Sequence, residues 1–514
     1  AQVRILGYFF QIGKFGPTLL NGDAGIAVIS FLKDKGLNEK QISSVQEQLF
    51  NRLYPDNEEG FDDGWGPFNP EVLKQSKKES KVVAEEFANQ LTVRHHFRTF
   101  RDTDEVFYYD ESTGVYRPAE LKIKEIAQGV LKEFATTIQV NEIVNKVRRK
   151  TYVDRDDVDE VHLIPLKNGV FDLTSKQLID HSHEHFFTFV SPIWYDSNAT
   201  CPKINKFLLE VTKGNEEKIL QLKRFVSYCF YRRYSIHQFF ILYGIGDNGK
   251  SIFLSLASAM VGEGNSSPVS LQELAGDKFA GSHLYGKCLN VDADLSNRMV
   301  RNAGTIKKYT GEDLIFAQAK HKTGFSFRNH AKLLFSCNEL PPVDDETLAF
   351  FKRVVLLHFD RVFTLAEQNP NLLREMTTDE EMAGFFSECI ATLPGLLEEK
   401  TFRKTSTEEV RELYLRHANS AGSFIGDCLE RVDDYPAVAK EDIVKAYKEY
   451  CKKHTIPPVS DNYLFQQIYK FYGNNRVYAC KPMDEDGNQY PAVKGIRIIQ
   501  LPEKPLKVEQ TFVE

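Results

Sequence analysis

The sequence predicts an α/β protein whose centre is a sheet of short buried strands alternating with helices. Three observations predict it. The stretch "FFILYGIGDNGKSIFLSLASAM" (Phe239 to Met260) runs from a five-residue apolar strand through a glycine-rich turn into a helix of small and apolar residues. Three more short apolar runs follow, each with polar residues at one end: "GKCLNVDADLS", "AKLLFSCNELPP" and "FFKRVVLLHFD". No run of about 18 apolar residues occurs, so no helical membrane span is expected.

The remaining segments fall around that centre. A chain of 514 residues is too long for one core, and three or four domains are expected. "AGIAVISFLKDKG" and "NEKQISSVQEQLFNRLY" have apolar positions three and four apart, so residues 1–57 read as helical. The Gly-, Pro- and acid-rich stretch beginning at Pro55 makes 58–80 a linker. A lysine-rich helix starts at Pro70, and residues 81–200 read as an α+β domain with hairpin signals in "EVFYYDESTGVYRP", where Ser112-Thr113-Gly114 supply the turn, and "VHLIPLKNGVFDLTSKQL". The strand-rich unit spans 201–395, a helical connector 396–422, a helix–helix–strand–turn–strand unit 423–502 and a tail 503–514.

Composition sets limits on function. An apolar share of 42% with 27% charge is that of an ordinary globular protein. The eight cysteines are scattered without a CxxC pair, which argues against zinc and a disulfide framework and predicts a reducing, cytoplasmic setting. Ala1 stands where a complete chain has methionine, and no basic-then-apolar leader follows; a piece of a longer polypeptide is expected. The net charge of −7 means that nucleic acid would have to meet a local positive surface such as a lined channel.

The glycine-rich turn carries the chemistry. Gly244-Ile245-Gly246-Asp247-Asn248-Gly249-Lys250-Ser251 fits G-x-x-x-x-G-K-[ST] without a mismatch. Glycines let backbone N–H groups turn toward phosphate oxygens, and the helix that follows, from Lys250, Ser251 and Ile252, offers its positive end. Lys250 would reach the β- and γ-phosphates, and the Ser251 hydroxyl would ligate Mg²⁺. ATP and Mg²⁺ are therefore the expected ligands. A plain strand-to-helix turn is the competing explanation.

Such a cradle needs an acid on a neighbouring strand. Asp292 and Asp294 follow the run ending in Val291, though an acid there is also an ordinary cap or turn residue. Asn338 ends the third run, where an amide can orient water or simply make a turn before the prolines. Lys352 and Arg353 precede the fourth run; an arginine there is either a surface charge or a finger for a neighbouring subunit's nucleotide.

Together these motifs resemble the superfamily 3 helicases, which are hexameric AAA+ motors, and within them the phage- and poxvirus-type primase-helicases. The segment "KKYTGEDLIFAQAKHKTGFSFRN" is similar to their DNA-contact motif: Thr310-Gly311-Glu312-Asp313, then Lys320, His321 and Lys322 at a hairpin tip, then Phe325 and Phe327. "VFYYDESTGVYRP", "NEIVNKVRRKTY", "LKNGVFDL" and "CPKINKFL" resemble, in order, the domain that precedes such motors, and 423–502 resembles the family's C-terminal winged helix. The resemblance is closest to the helicase part of the primase-polymerase-helicases of small archaeal plasmids. It makes 1–57 a primase-associated segment.

The resemblance implies an ATP-dependent DNA helicase of plasmid or virus replication that translocates on single-stranded DNA as a hexameric ring. Lys250, Asp292, Asp294, Asn338 and Arg353 would be catalytic, with Ser251 and Asp292 on Mg²⁺ and Lys320, His321 and Lys322 on DNA. Relatives often carry a glutamate where Asp294 stands, so which acid activates water stays open; many carry an arginine near Gln318. The alternative is an ATP-switched initiator that assembles on duplex DNA without processive unwinding. A P-loop kinase or protein remodeller is the third reading, and the hairpin lysines argue against it.

Overall fold

The structure, a computed structural model, describes residues 80–499 apart from 133–134, 156–159, 319–323, 345–346, 433–435, 455, 457, 474–475 and 484–487. The expected helical segment 1–57, nearly all of the linker 58–80, the tail 503–514 and the hairpin-tip residues Lys320, His321 and Lys322 lie outside the described residues. The described residues form two compact units, one containing 80–95 with 121–150 and the other 96–120 with 151–499.

The first unit holds the helices α1 (Ser80–Arg94), α2 (Glu120–Leu131) and α3 (Thr137–Lys150), of which α2 and α3 are amphipathic. Val83, Phe87 and Leu91 recur at helical spacing and are buried, as are Ile143, Val144 and Val147 of α3. The Glu85 carboxylate lies 2.6 Å from Lys146 Nζ and 2.7 Å from Lys150 Nζ, tying α1 to α3.

The second unit starts with a four-stranded sheet ordered β3-β2-β1-β4, from β1 (Phe97–Phe100), β2 (Val106–Asp110), β3 (Val115–Pro118) and β4 (Tyr152–Val153). The β2–β3 turn is the one read from Ser112-Thr113-Gly114; the Asp110 carboxylate accepts from the Ser112 and Thr113 hydroxyls, and Gly114 takes φ 70°. An antiparallel meander, β5 (Leu163–Leu166), β6 (Gly169–Asp172) and β7 (Gln177–Ile179), follows. Helices α4 (Pro202–Val211) and α5 (Glu216–Phe230) then lead to the main sheet.

That sheet has five parallel strands, ordered β14-β8-β13-β10-β9. They are β8 (Phe239–Tyr243), β9 (Ser266–Ser267), β10 (Leu289–Asp292), β13 (Lys332–Cys337) and β14 (Val354–His358). Every residue of β8 and of β13 is buried, as expected for strands covered on both faces. The strand alternation sends Phe240 and Leu242 into a core shared with α6 (Lys250–Val261) and α5. Phe239, Ile241 and Tyr243 point into a second core, with α7 (Leu271–Gly276) and α8 (Ile306–Tyr309). Between α8 and β13 stands the hairpin of β11 (Leu314–Ala317) and β12 (Phe325–Arg328), paired from Leu314↔Arg328 to Ala317↔Phe325.

After the short helices α9 (Leu348–Phe351) and α10 (Leu372–Met376), helix α11 (Asp379–Glu399) holds Pro394 within it and runs through residue 395, where a domain edge was expected. Helix α12 (Thr407–Ala418), started by a Ser406–Glu409 capping box, leads to the C-terminal elements. These are α13 (Ser420–Cys428), β15 (Leu429–Arg431), β16 (Val438–Ala439), α14 (Lys440–His454), α15 (Asp461–Tyr472), β17 (Tyr478–Cys480), β18 (Ala492–Lys494) and β19 (Ile496–Ile498). Strand β15 pairs with β19 and β16 joins β18 and β17, over a core that includes Phe424, Ile443, Tyr447, Leu464 and Ile468.

Candidate nucleotide-binding site

The cradle is built by the backbone at the carboxyl end of β8. Gly244 takes φ 145°, and a Cβ there would stand 2.4 Å from the Phe359 carbonyl oxygen, so the close approach admits only glycine. Asp247 sits at φ 58° and Gly249 at φ 87° before α6 begins at Lys250. The N-cap residue Gly249 brings no capping side chain, the Lys250 N–H donates to Asn248 Oδ1 at 3.4 Å, and the positive amino end of α6 lies at the loop. Ile245, Gly246, Asp247 and Ser251 are exposed, Ile252 is half-buried, and Asn248 is buried.

Lys250 is 6% exposed, and burial lowers its pKa. Its ammonium is held by three oxygens: Gly244 O at 2.7 Å, Asn248 Oδ1 at 3.0 Å and Asn338 Oδ1 at 3.4 Å. Asn248 in turn donates from Nδ2 to Phe359 O at 2.9 Å, and the Phe363 N–H donates to Asp247 O at 2.8 Å. The chain leaving β14 thus straps the cradle from outside.

The neighbouring strands bring the other expected residues to the same end of the sheet. Cys337 pairs with Tyr243, so Asn338 lies level with Gly244, and it is exposed. Asp292 closes β10 opposite Phe335. Its Oδ2 is buried without a hydrogen-bond partner among the described residues, its Oδ1 accepts from Asp294 N at 3.4 Å, and burial raises its pKa. Asp294 is exposed, two residues further on.

Arg353 lies elsewhere. It directly precedes β14 at the opposite, amino end of the sheet, beside Phe239, whose N–H donates to Arg353 O at 2.7 Å. Five strand residues at roughly 3.3 Å each put it about 16 Å from Gly244 of its own cradle. Its half-buried side chain donates from Nη1 to Ala349 O at 3.1 Å. Burial lowers its pKa, opposed by Asp313. Neighbouring Lys352 is exposed.

The hairpin base is fixed by the polar residues of the Thr310–Asn329 segment. The Thr310 hydroxyl donates to Ile306 O at 2.9 Å, ending α8. Asn329, 2% exposed, donates to Tyr309 O at 2.6 Å and to Ala331 O at 3.1 Å.

Three features carried no sequence signal of their own. One is the strap through Phe359 and Phe363. The second is an aromatic stack behind the cradle: His358 lies flat on Tyr243 at 4.7 Å, and His417 of α12 meets Tyr243 edge-on at 4.7 Å. Burial pulls His358 down to about 4 and His417 to about 3. The third is Arg361, 4.4 Å from the Phe363 ring and paired to Glu367 at 3.0 Å, next to exposed Val362 and Leu365.

The donor set fits a phosphate chain with a divalent cation. The glycine turn has no room for a Cβ at Gly244 and Gly249, the Ser251 hydroxyl is exposed, and the Asp292 carboxylate keeps one buried oxygen without a partner among the described residues. Among the described residues no three His, Cys, Asp or Glu side chains gather into a metal-binding group, so any cation held here would also lean on the phosphates.

Residues 48–213 match the family described as D5 N terminal like, and residues 242–353 match a family of unknown function, DUF5906. Both are typical of phage and viral primase-helicase proteins. A protein of Acanthamoeba polyphaga mimivirus named "Putative helicase" is 23% identical over 449 residues, which cover 80% of this chain and 45% of that protein. The chain therefore spans less than half the length of this relative. Two solved structures of the NrS-1 C-terminal region are 11% and 9% identical, with TM-scores of 0.40 and 0.42; they cover 79% and 81% of this chain and 97% and 99% of theirs. No described helix is long and apolar enough to cross a membrane.

Proposed function

We propose that this chain is the ATP-hydrolysing DNA-helicase part of a viral or plasmid replication protein, working as a ring of identical subunits. The observation that carries this reading is the convergence of Lys250, Asn338 and Asp292 at the carboxyl end of one parallel sheet, with Arg353 about a strand's length away. The parallel sheet with a helix after its glycine turn is what an AAA+ motor over 201–395 requires, and the C-terminal helices and strands suit a winged helix over 423–502. The mimivirus relative's name and the two family matches favour the same reading.

Catalysis of phosphoryl transfer is mostly positioning and charge stabilisation. In this account the backbone of 244–251 and the Lys250 ammonium take the β- and γ-phosphates, the ammonium exchanging its hold on Gly244 O for phosphate oxygen. Ser251 and Asp292 would hold Mg²⁺, which supplies positive charge against those phosphates when bound. Asn338, already next to Lys250, orients the attacking water together with Asp294. Arg353 is too far to serve its own cradle, so it completes the site of the next subunit. The strap from Phe359 to Phe363 passes changes in the cradle into β14, and so to the end of the sheet where Arg353 starts. The β11–β12 hairpin would move Lys320, His321 and Lys322 along the DNA backbone, a contact that is salt-dependent and blind to sequence.

An unwinding assay tests the reading: strand release from a forked duplex, with ATP and Mg²⁺. Wild-type protein should release the strand and Lys250→Ala should not. ATP hydrolysis without any unwinding over all fork designs would overturn the helicase and leave the initiator. One feature favours that second reading: a groove of about 530 Å³ beside α14 is lined by Lys440, Lys445, Lys448 and Lys452, whose charge is partly offset by Glu441, Glu449 and Asp461, so its lysines could meet duplex phosphates.

A further inference from the structure

Arg155 stands at the centre of a cluster that the nucleotide site does not use. Its guanidinium lies 3.9 Å from the Phe100 ring centre at the end of β1, 5.0 Å from that of Tyr285 and 5.9 Å from that of Phe325 in β12. Nε donates to Asp102 Oδ2 at 2.7 Å, Nη2 donates to Thr103 Oγ1 at 3.1 Å, and Nη1 donates to the Tyr285 hydroxyl. Tyr285 then packs edge-on against Phe325 at 4.7 Å and Phe327 at 5.4 Å. One side chain, 20% exposed, therefore joins the β1–β2 turn to the base of the hairpin.

The hairpin needs such support. It has two strands, and a two-stranded ribbon alone is marginal in water. Its inner face packs Ile315, Ala317 and Phe327 on the motor core, while Leu314 and Phe316 on the outer face are 63% and 69% exposed. A planar guanidinium can stack on rings and donate in a fork at once, which an ammonium cannot.

We infer that Arg155 is a positioning residue: it clamps the base of the β11–β12 hairpin to the β1–β4 sheet, so the N-terminal sheet sets where the hairpin stands. What this does to DNA rests on the reading of the hairpin as the DNA-contacting element; the clamp itself does not.

Amide hydrogen exchange on the full chain tests it, comparing wild type with Arg155→Ala, Arg155→Lys and Asp102→Asn. Exchange in 314–317 and 325–328 should accelerate by about tenfold in both Arg155 variants, with α6 unchanged. Asp102→Asn should do much less, since an exposed ion pair contributes little. Should Arg155→Ala not fold, Arg155→Lys carries the test. Unchanged hairpin exchange, equal acceleration in α6, or full protection in Arg155→Lys would each overturn the clamp. A second arm measures the single-stranded DNA concentration for half-maximal ATPase stimulation, which should rise with the basal rate unchanged. If exchange accelerates as expected and the DNA response does not move, the clamp stands and the hairpin's DNA role is overturned.

Discussion

Lys250 and Asn338 are 88 residues apart in sequence, yet the lysine Nζ lies 3.4 Å from the asparagine Oδ1 across the ends of two adjacent parallel strands. The lysine of the cradle and the polar tip of the neighbouring strand thus form one unit. A charge that moves toward bound phosphate must let go of Asn338, or carry it along.

Replacing Lys250 by alanine should slow ATP hydrolysis by at least about 10²-fold, the loss typical for one group aimed at developing charge. The thermal transition should change little, because the ammonium's partners, Gly244 O, Asn248 Oδ1 and Asn338 Oδ1, all lie at the carboxyl end of the sheet and outside its apolar core. Wild-type turnover by a folded Lys250→Ala protein would remove the assignment.

Asn338→Ala should separate binding from chemistry. The side chain is exposed and outside the core, so nucleotide affinity should stay within a few-fold while turnover drops by about 10²-fold. Affinity from a fluorescent ATP analogue and the single-turnover rate give the two readings. Equal loss in both would make Asn338 a part of the binding site and not of water positioning.

Gly244→Ala tests the strap. The new Cβ would have to displace the Phe359 carbonyl, and a strained backbone of this kind costs about 1–3 kcal/mol. The melting temperature should fall by several degrees. Gly246→Ala should leave it unchanged, because a Cβ there meets nothing within 4 Å. A Gly244→Ala protein as stable as wild type would mean that the Phe359–Phe363 segment does not buttress the cradle.

Acid should weaken the fold through His358 and His417. Burial holds their pKa values near 4 and 3, below the ordinary histidine value of 6.5. Between those limits the unfolded chain binds more protons than the folded one. Their share of stability is thus complete above about pH 6.5 and is lost as pH falls toward 4, with a slope of at most about 1.4 kcal/mol per pH unit for each ring. Denaturant titrations of wild type and His417→Gln between pH 7 and 5 check this. The variant should show the smaller slope, and identical slopes would exclude His417 as a contributor.

What the sequence disclosed depended on whether residues act as neighbours in the chain. The cradle is a run of eight consecutive residues in which Gly244, Gly249, Lys250 and Ser251 each have a chemical reason, so the stretch from Gly244 to Ser251 was readable. The β10 and β13 strand ends were readable because a short apolar run followed by Asp292 or Asn338 is itself a local pattern. The strap, the Tyr243–His358–His417 stack and the Arg155 clamp were not, since each joins side chains brought together only by strand order and helix packing. Strands β15 and β16 were missed because they are three and two residues long and flank "VDDYP", which reads as a turn. Helix α11 likewise runs from Asp379 to Glu399 through Pro394, with Leu393 and Leu396 buried on either side, a continuity that the proline hides in the sequence.

The central claim is that hydrolysis is shared between subunits, and mixing two inactive proteins tests it most directly. Arg353→Ala subunits keep an intact cradle and lack the arginine; Lys250→Ala subunits keep the arginine and have a broken cradle. Each alone should be nearly inactive, since an arginine supplied in trans is worth roughly a thousandfold or more in related phosphoryl transfer. ATP hydrolysis is measured against mixing ratio, at concentrations where a labelled subunit is seen to exchange. The account predicts a maximum at intermediate ratios, where some interfaces pair a good cradle with a good arginine. With exchange demonstrated, a rate that never exceeds the weighted sum of the two parents would contradict the shared site.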